Sequence, residues 1–211
     1  MVEIVTETWL MQEFTKRAKA CNLQIDCLGA GKLDSEIVII GEAPNERDGI
    51  MKMPMVGGAG KLLWDILLPM GITRKDCYVT NVCKRMVQFS HKSDDKATVK
   101  SVELEHWEGL LDWELDHLPN VKYILALGNF ALHALTGDYG INNWRGSVFD
   151  CKVGKLGRVV KVICANNPAH VMRMYSMEPT YKFDLNKLNR VITGRFKKHI
   201  VEPRMNPSAQ A

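Results

Sequence analysis

No apolar stretch in the 211-residue sequence approaches the roughly 20 residues that a membrane-spanning helix needs. The opening "MVEIVTETWLMQEF" carries acids and polar residues where a secretory leader would be apolar, so a cytoplasmic or nucleoid-associated location without membrane attachment is expected. The six cysteines have no regular spacing, and without a secretory signal they read as reduced thiols rather than a disulfide framework. Strong charge of one sign is also missing. With 28 Lys and Arg against 24 Asp and Glu, the net charge of +4 permits a polyanionic partner without demanding one. The positive excess is local, in "KRMVQFSHKSDDKATVK" and "GRFKKHIVEPRM". No internal repeat is present, and the chain reads as one domain over residues 1–195, expected to be a monomer, followed by a basic tail, 196–211.

What the chain does have is alternation. The runs "IVII" (37–40), "CYVTNV" (77–82), "YILAL" (123–127) and "VVKVIC" (159–164) have the length and β-branched content of buried strands. Between them, 61–70 and 101–118 place apolar residues at helical spacing, and Asn129 is positioned to cap a short helix ending before Gly137. Strands alternating with helices predict an α/β fold, a three-layer α/β/α sandwich around a mostly parallel four-stranded sheet.

In such sheets ligands bind beyond the carboxyl ends of the strands, where loops and helix N-termini converge. The first strand ends in Gly41, Glu42, Ala43 and Pro44, the second in Asn81, the third in Gly128 and Asn129, and the fourth in Asn166, Asn167, Pro168, Ala169 and His170. A carboxylate and several carboxamides therefore share one rim. The glycine-rich turn at Gly57, Gly58 and Gly60 lacks the Lys-Ser or Lys-Thr ending of a nucleotide-binding P-loop.

The stretch "GEAPNERDGIMKMPMVGGAGKLL" resembles the first motif of the uracil-DNA glycosylase superfamily, specifically its thermostable iron-sulfur branch, without a gap. "GITRKDCYVTNVCK", "LGNFAL", "WRG" and "NNPAHVMR" follow in the family's order, so the resemblance spans about residues 18 to 190. It implies hydrolysis of the N-glycosidic bond of uracil, or a related modified pyrimidine such as a 5-substituted uracil, flipped out of DNA. On this resemblance Glu42 positions the attacking water and supports the sugar cation, Asp48 is a second, supporting acid, and Asn167 helps hold the departing base. Asn81 reads the uracil edge, with Gly41 and Met55 beside it in the base pocket. Gly57, Gly58 and Gly60 let the chain approach DNA phosphates, which Lys84, Arg85, Lys92, Arg145 and Arg173 would contact. His170, three residues beyond Asn167, is a helix-start surface residue on the same DNA-facing side.

The chain departs from the family at informative places. Met55 replaces the aromatic residue that stacks on the base, and Asn167 replaces a histidine. The four positions matching cluster cysteines read Ala18, Cys21, Arg85 and Trp107, so no iron-sulfur cluster, other metal or cofactor is expected. Cys77 and Cys83 bracket the second strand, about 20 Å apart at 3.3 Å per residue, too far to share one centre. Cys21, Cys27, Cys83 and His91 have no recognised zinc spacing. His91, in the basic loop after the second strand, reads as part of a solvated loop that touches phosphates. Two other classes remain open from sequence: a catalytically weakened DNA-binding or partner-binding protein, and a small-molecule nucleoside enzyme on the same sheet.

Overall fold

The computed structural model describes residues 6–87 and 101–195. His91, Lys92 and the tail 196–211 lie outside the described residues. In chain order the elements are α1 (Glu7–Ala20), β1 (Ala30–Gly31), β2 (Ile37–Gly41), α2 (Glu46–Met51), α3 (Gly58–Leu67), β3 (Cys77–Asn81), α4 (Ser101–Asp116), β4 (Tyr123–Leu127), α5 (Asn129–Thr136), α6 (Ile141–Trp144), β5 (Val148–Val153), β6 (Arg158–Ala165), α7 (Pro168–Arg173) and α8 (Glu178–Ile192).

The sheet order is β1-β3-β2-β4-β6-β5. The four expected strands, β2, β3, β4 and β6, form its parallel centre. The expectation of four strands is corrected to six, because short antiparallel strands flank the centre: β1 pairs with β3 and β5 with β6. β1 is too short to show periodicity, and β5 alternates buried Phe149 and Val153 with exposed Asp150 and Lys152, as a one-sided edge strand does.

The central strands are apolar throughout because both faces are covered. In β2, Val38 and Ile40 pack into one core with Phe14 of α1 and Leu111 of α4, and with Leu132 of α5. Ile37 and Ile39 point the other way, into a second core with Leu63 of α3 and Leu185 of α8. The period of two along each strand thus builds two cores from one run of residues. Cys77 lies in the second core and Cys83 in the first, so these thiols are on opposite sides of the sheet.

Asn129 does not cap α5, which takes Gly128 as its N-cap. Its Oδ1 instead accepts from the Gly140 and Ile141 amides at 3.1 and 2.8 Å, closing the entry to α6. From β2 the chain runs to β3 on one side, and from β4 to β6 on the other. The ends of β2 and β4 are therefore where the winding direction reverses, and there a parallel sheet leaves a crevice.

Candidate active site

A cavity of about 460 Å³ opens at this reversal, lined by Glu42, Met55, Gly128, Asn166, Asn167, His170 and Arg173 among others. Glu42 directly follows β2. Its carbonyl accepts from the Cys83 amide at 2.9 Å, which continues the β2–β3 pairing past the strands and fixes the Glu42 backbone. Its carboxylate is held from two sides. Oε1 accepts from the Phe130 amide in the first turn of α5 at 3.2 Å, and Oε2 accepts from Asn167 Nδ2 at 2.5 Å. A backbone amide at a helix N-terminus and a carboxamide thus fix the orientation of this carboxyl group at the cavity.

Gly128 makes that geometry available. It has φ +97°, and a β-carbon there would lie 2.5 Å from Glu42 Oε1. Only glycine satisfies both the backbone angle and the space. The sequence shows Gly128 as a strand-end residue; its contact with Glu42, 86 residues earlier, appears only in the folded chain. The same holds for the Phe130 amide, which no side-chain pattern reveals.

Asn167 caps α7, with Oδ1 accepting from the Ala169 amide at 2.9 Å, while its Nδ2 donates to Glu42. The carboxamide expected to hold the departing base thus bonds Glu42 with one of its two amide hydrogens and caps α7 with its oxygen. Asn166 beside it is buried and lines the cavity.

Asn81 ends β3, opposite Gly41 in the parallel register. It is 1% exposed, and neither Oδ1 nor Nδ2 has a hydrogen-bond partner. A buried amide left unpaired costs on the order of 1–3 kcal/mol.

Asp48 is buried and wholly engaged by its own loop. Oδ1 accepts from the Val56 and Gly57 amides at 2.9 and 3.2 Å, and Oδ2 from the Asn45 amide and Asn45 Nδ2 at 3.3 and 3.0 Å. These bonds tie the start of α2 to the turn before α3, and Asp48, expected as a second acid, also lines the cavity. Within that loop Met55 has φ +57°, and its carbonyl accepts from Trp64 Nε1 at 3.1 Å.

Other expected DNA contacts divide. Gly57 and Gly60 are buried: a β-carbon at Gly60 would strike the Met55 carbonyl at 2.0 Å, and one at Gly57 the Asn45 amide at 2.7 Å. These two glycines serve close packing inside the loop rather than approach to a phosphate. Gly58 is exposed at the start of α3. Lys84 is fully buried, its Nζ 2.7 Å from both Glu114 Oε2 and Thr80 Oγ1, so it does not reach a partner's surface. Tyr78 completes this buried network through its hydroxyl, which donates to Glu114 Oε1 at 2.8 Å. Burial first, then the Glu114 charge, pushes that phenol well above its ordinary range. Arg145 forms a two-pronged ion pair with Asp184 at 2.8 and 2.9 Å and is committed to the α8 packing. His170 is half-buried and Arg173 exposed; both face the cavity from α7.

Fold and pocket together define an α/β domain with a polar-lined cavity at its strand ends, the place where such sheets bind ligands. Comparison with known families is consistent with this: the model of the uracil DNA glycosylase superfamily matches residues 28–191, and the chain belongs to that superfamily. It is 31% identical to a type-4 uracil-DNA glycosylase of Archaeoglobus fulgidus over 169 residues, 77% of this chain and 80% of that protein. A type-4 uracil-DNA glycosylase of Thermotoga maritima is 30% identical over 197 residues, 90% of this chain and 91% of the relative.

The cluster suggested by the resemblance does not fit the residues present. Ala18 is buried in the core; Cys21 borders a surface groove with Arg85, Glu103 and His106. Arg85 grips Glu103 with Nε and with Nη2, the latter at 2.9 Å, and buried Trp107 donates Nε1 to the same carboxylate at 3.2 Å. A guanidinium and an indole occupy two of the four positions, and a cation there opposes iron. Cys27, Cys77, Cys83 and Cys164 have thiols pushed up to about 12 by burial, which disfavours the thiolate a metal needs. Among the described residues, no three His, Cys, Asp or Glu side chains converge on a point that could hold a metal ion.

Proposed function

We propose that this protein is a monofunctional DNA glycosylase that hydrolyses the N-glycosidic bond of uracil, or of a closely related pyrimidine, in DNA. The observation that carries the proposal is Glu42, held by the Phe130 amide and Asn167 at the mouth of a cavity next to the unpaired amide of Asn81. The relatives named type-4 uracil-DNA glycosylase support the same substrate class.

The chemistry follows from the geometry. A target nucleotide leaves the duplex and its base enters the cavity. As the C1′–N1 bond breaks, its electron pair goes to the base and positive charge develops on the sugar. Glu42 stabilises that charge and orients a water, whose oxygen bonds to C1′ while its proton passes to the carboxylate. Asn81 offers one donor and one acceptor to a ring edge that presents an N–H beside a carbonyl. The rim of α7, with Arg173 and His170, and the exposed Gly58 packed beside Met172 of that helix are suited to contact the DNA backbone.

The test is alkali-dependent cleavage of labelled oligonucleotides carrying uracil, 5-hydroxymethyluracil or thymine, single- and double-stranded, with wild type beside Glu42→Gln. Cleavage at uracil or its close analogue, lost in the variant, is expected. DNA binding without an abasic product would overturn the enzymatic reading and leave a binding protein.

A further inference from the structure

Met55 lines the cavity, whereas Asn81 lies behind it, nearly inaccessible. Both side chains converge over Gly41: a β-carbon there would meet Asn81 Oδ1 at 2.3 Å and Met55 Cε at 2.4 Å. The thioether methyl is therefore packed beside the carboxamide at the floor of the pocket. The amide that should read a base therefore lies against an apolar group that can give it no hydrogen bond.

The Met55 backbone cannot shift to clear the way. Trp64 Nε1 holds its carbonyl at 3.1 Å, and Gly60 packs so closely that a β-carbon would lie 2.0 Å from that same oxygen. Asp48 fixes the next two amides, those of Val56 and Gly57. The side chain is unbranched with three rotatable bonds, so motion is confined to rotation about them.

We propose that Met55 is a selectivity gate: its side chain closes over Asn81 in the free protein and rotates aside only when an entering base can bond both amide atoms. This rests on the glycosylase reading and identifies the feature of the base that opens the pocket. A pyrimidine edge with a carbonyl next to a ring N–H satisfies Oδ1 and Nδ2 together. A ring with that N–H blocked would leave a buried polar group unpaired, and sites built around hydrogen bonds reject such analogues strongly.

The test uses full-length protein carrying ¹³C at its methionine methyls, with the Met55 signal assigned by the volume-matched variant Met55→Leu. 1-Methyluracil, whose only ring N–H is at N3 as in a nucleotide, is titrated in, with 1,3-dimethyluracil as the edge-blocked control. The Met55 methyl and the Asn81 side-chain NH₂ signals are expected to move together and saturably with 1-methyluracil, and to stay in place with 1,3-dimethyluracil at the same concentrations. In Met55→Ala, the Asn81 NH₂ protons are expected to exchange with water faster than in wild type. Movement of Asn81 without Met55 would overturn the gate and leave the glycosylase reading intact. So would failure of both signals to respond in a protein that still excises uracil from oligonucleotides. Failure of both, together with no excision, would overturn the gate and the glycosylase reading alike.

Discussion

Asn167 Nδ2 donates to Glu42 Oε2 at 2.5 Å, joining residues 125 positions apart across the mouth of the cavity. The family's histidine is absent at this position, but its replacement remains bonded to the carboxylate that the reaction needs. Replacing Asn167 with alanine is expected to lower kcat about 10- to 100-fold with a smaller change in KM, since the carboxylate loses its orientation. Single-turnover excision from a uracil-containing oligonucleotide measures this. Glu42→Gln, which removes the charge itself, is expected to cost roughly 10²- to 10⁴-fold. An Asn167→Ala rate equal to wild type would remove Asn167 from the machinery.

Gly128→Ala would place a methyl 2.5 Å from Glu42 Oε1 and force a residue with a side chain into φ +97°. A stability loss of about 1–3 kcal/mol is expected from the backbone alone. Excision should fall further than that loss explains, because the displaced carboxylate is the reacting group. Denaturant unfolding and excision kinetics on the same sample separate the two effects.

Lys84 and Arg173 should behave as opposites, although both are basic residues placed by sequence near the DNA face. Lys84→Ala leaves Glu114 uncompensated in the core and is expected to cost about 3–5 kcal/mol. Arg173→Ala is expected to leave stability unchanged, weaken DNA binding, and reduce the slope of log affinity against log salt by about 1. If Arg173→Ala bound DNA with the wild-type salt slope, α7 would not be a phosphate-contacting element.

The buried thiols of Cys27, Cys77, Cys83 and Cys164 titrate near 12 in the folded chain, against 9.0 as the ordinary value. The unfolded state loses these protons first as pH rises, so stability is complete below pH 9 and falls between 9 and 12. Each thiol contributes on the order of 1 kcal/mol to the loss by pH 10. The denaturant midpoint should therefore be lower at pH 10 than at pH 8. At pH 8 these four cysteines should resist thiol reagents until the protein is unfolded; rapid labelling in the native state would contradict their burial.

The central strands were legible because β2, β3, β4 and β6 are apolar on both faces, a pattern that few alternatives share. Their polar ends were legible for the same reason: in a parallel sheet, loop residues after such strands must meet at one edge. The flanking strands were not. β1 is two residues long, and in β5 Asp150 and Lys152 break the apolar run because one face meets water. Lys84 was misread for a different reason. A lysine after a strand looks solvated unless its partner is known, and Glu114 lies 30 residues away. Glu114 does sit in α4 among buried Leu110, Leu111 and Leu115, and an acid on an apolar face is the signal that could have exposed the pair. For Asp48, no spacing could show that loop amides would engage both its oxygens.

The Arg85–Glu103–Trp107 contact ties the segment after β3 to α4 with groups that the chain itself supplies. A fold closed by a metal cluster waits on cofactor delivery and is vulnerable to oxidants that strip the cluster. Here an ion pair and an indole close the same corner, so its packing draws on nothing beyond the chain's own side chains.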